Sequence, residues 1–133
     1  MASRYLDFHD GHLLGIRVGK KSAMLFLRRL GGSEHELLLS GVELLRMDEF
    51  MQGNVILSIE VVTGERPAAN VPLGRLLDPP HPNAVAKYHA AHAEYVERCL
   101  ADIESGAACL VILLSSYGAD LLALCREVTL QEA

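Results

Sequence analysis

At 133 residues the chain has the length of one domain; half of it is apolar and only 5% aromatic, with no tryptophan, so its core must be aliphatic. The 12 Lys and Arg against 17 Asp and Glu leave a net charge of −5. The basic residues sit in isolated pairs at 20–21 and 28–29, not on the basic face that neutralises phosphates, so direct nucleic-acid binding is not expected. No apolar run approaches the ~20 residues of a membrane span, and the N-terminus lacks the apolar stretch of a secretory signal. Cys99, Cys109 and Cys125 form no CxxC pair; buried free thiols in a cytoplasmic protein are the expectation.

Taken in order, residues 5–9 form a short strand and Asp10-Gly11 a tight turn leading into a hairpin. Residues 13–18 and 22–30 alternate as strands about a polar Gly19-Lys20-Lys21 turn, and Gly31-Gly32-Ser33 ends the second. Residues 34–40 suit a strand, and 42–47 suit a strand or a helical turn; both are assigned as strands because Gly41 between them argues against one helix. Gln52-Gly53-Asn54 turns the chain into residues 54–63, the strand on which the pattern centres. Val55, Leu57, Ile59 and Val61 should form its buried face, and Ile56, Ser58, Glu60 and Val62 its second face.

All five prolines fall between 64 and 83, which marks a crossover loop with one helical turn near 73–77. Asn83 is placed to cap a helix over 84–104, closed by Ser105-Gly106. Its expected buried stripe runs through Val85, Tyr88, His92, Tyr95, Val96, Cys99 and Ile103. Residues 108–115 are nearly all apolar, the signature of a strand covered on both faces. Residues 119–130 fit a returning strand after the Ser116-Tyr117-Gly118 turn, although a helical stripe also threads them. The pattern predicts one α+β domain over 1–133, with an antiparallel sheet of about seven short strands, a meander plus a C-terminal hairpin, and one long helix packed on it.

Few motifs carry chemistry. Residues 15–22 look superficially like a phosphate loop, but the glycine spacing is one short and a strand follows instead of a helix. His9, Asp10 and His12 could bind a ligand or metal at their turn, yet such close neighbours converge poorly and an Asp-Gly turn explains them. His89 and His92 lie at i, i+3 with His81 and Glu94 nearby, not at the i, i+4 spacing of a helical zinc pair; His92 reads as a hydrogen-bonded interface histidine. The Ser115–Tyr117 turn lacks the frame of a nucleophile elbow, and Tyr117 is read as packing there with its hydroxyl at the rim. Cys99, Cys109 and Cys125 are expected to be inert core thiols, not activated nucleophiles. No catalytic set, metal or cofactor is implied.

Phe8-His9-Asp10, Asn54-Val55-Ile56 and the Ser-Ser-Tyr-Gly-Ala turn at 115–119 resemble segments of small β-rich bacterial proteins classed as immunity-protein-like or uncharacterised. The resemblance spans the first half and the last hairpin, excluding the Pro-rich loop and helix. It implies a compact domain that binds a partner protein, such as a toxin it blocks, and it carries over no catalytic residue. Three functions remain in view: a protein-binding module, a small ligand-binding protein or enzyme using the histidines, and a homodimer formed through exposed Ile56 and Val62.

Overall fold

A computed structural model describes residues 2–68 and 73–133. Positions 69–72, including Pro72 of the expected crossover, lie outside the described residues. Among those described, nine strands form one antiparallel sheet: β1 (Arg4–Leu6), β2 (His12–Val18), β3 (Ser22–Arg28), β4 (Glu34–Ser40), β5 (Leu44–Asp48), β6 (Asn54–Val62), β7 (Cys109–Tyr117), β8 (Asp120–Cys125) and β9 (Glu127–Glu132). A 3-10 turn at Leu73–Arg75 and one long helix, α1 (Ala86–Ser105), separate β6 from β7. The α+β class is as the pattern predicts. The additional strands come from long runs that are interrupted.

Three interruptions shape the sheet. β1 and β2 lie end to end along β6, with Leu6 opposite Ile59 and His12 opposite Val55. The expected hairpin at Asp10-Gly11 is therefore a bulged excursion in one run, not a turn between paired strands. β4 and β5 form a second run broken at 41–43, and β8 and β9 a third broken at Arg126. These two pair along their whole lengths, from His35 opposite Glu132 to Asp48 opposite Asp120. The sheet order β5-β8-β7-β6-β2-β3-β4-β9 thus begins and ends on the same two runs, and the sheet curls round on itself. β6 neighbours β1, β2 and β7 rather than β5, so the first half is not one continuous meander.

The curled sheet has a different apolar cluster on each side. Inside lie Leu25, Leu27, Leu37, Leu39, Val111 and Leu121, with Phe8 closing one end against His35. Outside, Leu110, Ile112, Leu122 and Leu124 pack under Cys99 and Ile103 of the helix and Leu77 of the crossover. β7 thus buries both faces, as its unbroken apolar run requires.

Two expectations fail for stated reasons. Register shifts on either side of Ile56 change the phase of β6, so Ile56 and Ile59 both point inward while Leu57 is exposed. Ile56 is 0% exposed and Val62, beneath the helix, 4%, so neither can form a surface contact. The helix begins at Ala86 with Val85 in the N-cap position and no side-chain cap. Asn83 instead donates its backbone N–H to His81 Nδ1 at 3.1 Å. The first turns, 86–91, are exposed throughout, Tyr88 at 57%; only the C-terminal half of the expected stripe reaches the sheet.

That asymmetry has a measurable consequence. Ile103→Ala should cost about 2–5 kcal/mol by chemical denaturation, because it opens a cavity under the helix. Tyr88→Ala on the same predicted stripe should stay within about 0.5 kcal/mol of the wild type.

Candidate functional site

The feature that organises one end of the sheet is the amide of Asn54, which is fully buried at the first residue of β6. Its Oδ1 accepts the backbone N–H of Met51 at 2.9 Å and that of Ala119 at 2.9 Å. Its Nδ2 donates to Met51 O at 2.6 Å and Leu13 O at 3.2 Å. Two donors and two acceptor directions are all a side-chain amide has, so Asn54 is saturated. It joins the 49–53 loop, β2 and the β7–β8 turn. Gly118 in that turn sits at φ 93, and a Cβ there would run into Asn54 Oδ1, so no larger residue fits.

The loop so held begins at Glu49 (φ 59) and ends at Gly53 (φ 83), two left-handed positions that fold it back sharply. Between them Phe50 and Met51 point to solvent, 47% and 44% exposed. Together with Leu14, His12 and Arg28 they line a shallow groove of about 440 Å³. Both side chains thus stand exposed beside a backbone that Asn54 holds at the N–H and C=O of Met51.

A larger open cleft of about 1010 Å³ lies where the strand interruptions at 41–43 and Arg126 meet the helix C-terminus, and Lys20, Lys21, Glu43, Asp102, Cys125 and Arg126 border it. Glu43 is engaged by Arg98 at 2.8 Å and by the Tyr95 hydroxyl at 3.4 Å. Burial foremost, and the neighbouring Cys109 after it, push the Cys125 thiol up to about 12. A thiol that stays protonated at neutral pH is no nucleophile, so this cleft contains no activated sulfur.

The residues singled out from the sequence are dispersed. His9 and Asp10 do come together, His9 Nε2 lying 3.5 Å from Asp10 Oδ2, while His9 Nδ1 bonds Leu57 O at 2.8 Å; both residues are exposed. His12 borders the Phe50 groove. His89 is exposed on the helix, and His92 Nε2 bonds Leu77 O at 2.9 Å, which fastens the crossover to α1. Tyr117, 53% exposed, ends β7 opposite Val55. Among the described residues no three His, Cys, Asp or Glu side chains are grouped to hold a metal.

The sequence reading singles out neither Phe50 nor Met51, and it places Asn54 in the Gln52-Gly53-Asn54 turn at the start of β6 without its hydrogen-bonding role. The available signal was two large apolar residues beside a Gly-Asn turn, where polar residues are the rule. It also missed the charged strap on the crossover. There Arg75 Nη2 meets Asp48 Oδ2 at 2.6 Å, and Arg46 bonds both Asp48 Oδ2 at 3.2 Å and Arg75 O at 2.9 Å.

The raised Cys125 pKa fixes a pH dependence. An unfolded cysteine ionises near about 8.5, whereas the folded one holds its proton up to about 12. The contribution is therefore full below the unfolded value and is lost as pH rises through the interval. Wild-type stability should fall faster than that of Cys125→Ala between about pH 9 and about pH 11, by up to ~1.4 kcal/mol per pH unit in denaturant titrations. Comparison with that variant separates the effect from Tyr95, which burial pushes up to about 12 as well.

Comparisons of the chain with protein families, with curated proteins and with solved structures gave no match in any of the three.

Proposed function

We propose that the protein is a non-enzymatic binding module that docks or inhibits a partner protein, in the manner of an immunity protein. The observation that carries this reading is the 49–53 loop, whose Met51 backbone is bonded by Asn54 at both its N–H and its C=O while Phe50 and Met51 extend into solvent. Aromatic and methionine side chains on a rigid support are the residues that anchor protein interfaces. Burial raises the Cys99 and Cys125 thiols, and among the described residues no three His, Cys, Asp or Glu side chains are grouped to hold a metal, which favours binding as the reading. Among the described residues no helix is long and apolar enough to cross a membrane. The three free cysteines suit a reducing compartment, in keeping with a cytoplasmic site of action.

Affinity capture with the wild type and with a Phe50→Asp/Met51→Asp variant tests the reading. Both side chains are exposed, so the variant should keep its melting temperature. A partner captured by the wild type should bind the variant about 100-fold more weakly or worse. Equal affinity of that partner for both proteins would remove the loop from the interface.

A further inference from the structure

Among the described residues, the cluster beneath the helix draws on β5, β6, β7 and β8 and includes no residue of β2, β3, β4 or β9. On the outer face of those last four strands Met24, Phe26 and Leu38 are partly exposed and belong to neither apolar cluster. They form a central strip, with Met24 directly opposite Leu38 on the neighbouring strand. Charge divides across the strip. Arg17 on β2 and Arg28 on β3 lie to one side, and Glu34 and Glu36 on β4 with Glu127 on β9 to the other. None of these five forms an ion pair among the described residues. Even Arg28 and Glu34, cross-strand neighbours, are unpaired. Arg17 reaches only the sulfur of Met24, at 3.9 Å.

We infer that this face binds a second copy of the chain about a twofold axis running parallel to the strands between β3 and β4. The charge pattern selects the occupant and the axis. Rotation about that line lays the basic half of one copy on the acidic half of the other, with Arg28 facing Glu34 of the second copy and Met24 facing Leu38 of the second copy. An axis across the strands would set arginine on arginine, which like-charge repulsion disfavours. Isologous pairing of this kind is the commonest form of self-association. Four strands spaced ~4.8 Å apart over about four outward rows give a footprint of roughly 20 by 15 Å. With side-chain relief the total burial is on the order of 1,000 Å², the low end for a specific interface, so the dimer is concentration-dependent.

Analytical ultracentrifugation of the full chain from about 1 µM to about 1 mM tests this, a range that brackets a weak dimer. The wild type should pass from monomer to dimer. Arg28→Glu and Glu34→Arg should each weaken association about tenfold or more. An equimolar mixture of the two should recover a heterodimer at wild-type strength, because each reversed charge then meets its complement in the other chain. Changes confined to one chain cannot produce that recovery. Leu38→Lys, on the central strip, should abolish association and serves where a charge variant folds poorly. A strict monomer throughout the range, a dimer indifferent to these substitutions, or a mixture that fails to recover would overturn the inference.

Discussion

The buried amide of Asn54 fixes one end of the sheet because it satisfies four backbone groups that have no other described side-chain partner. A backbone donor or acceptor left unpaired in the interior costs about 1–3 kcal/mol, so these bonds tie the 49–53 loop to Leu13 of β2 and to Ala119 of the β7–β8 turn. Gly118 follows from this constraint, since the approach of the β7–β8 turn to Asn54 leaves no room for a Cβ. So does the display of Met51, whose backbone is held while its side chain, like that of neighbouring Phe50, is exposed. A structural hydrogen-bond hub and an apolar surface patch are here two consequences of one residue.

Most of the strands were legible because period-2 alternation survives in β3 and β4, where inward Leu25, Leu27, Leu37 and Leu39 mark one face cleanly. The unbroken run of β7 likewise announced its double coverage, and Ser105-Gly106 the end of the helix, where the Gly106 N–H bonds Ile103 O. Closure of the sheet was not legible. It depends on the interruptions in the 4–18, 34–48 and 120–132 runs, and such breaks leave the composition of the strands unchanged. The same effect reversed the reading of β6: two register shifts move Ile56 from the supposed outer face into the interior. The N-terminal half of α1 misled in another way. Alanine sustains a helix without burial, so the stripe through Val85 and Tyr88 continued past the point where the sheet ends.

The candidate site was less legible than the fold. Histidines draw attention because their chemistry is versatile, yet His92 fastens the crossover and His9 fastens a bulge, each through a backbone carbonyl. What distinguishes the 49–53 loop is a contrast of environments, a saturated buried amide beside exposed aromatic and thioether groups, and a linear pattern does not encode which residues are exposed. The cysteines were the simplest case: aliphatic surroundings imply suppressed ionisation, and burial does raise the Cys99 and Cys125 thiols.

The central claim is that the loop carrying Phe50 and Met51 is rigid before any partner arrives. Backbone ¹⁵N relaxation of the free protein tests it most directly. The amides of Phe50 and Met51 should give order parameters near those of the sheet, about 0.85, whereas values below about 0.6 would show a flexible loop and contradict the account.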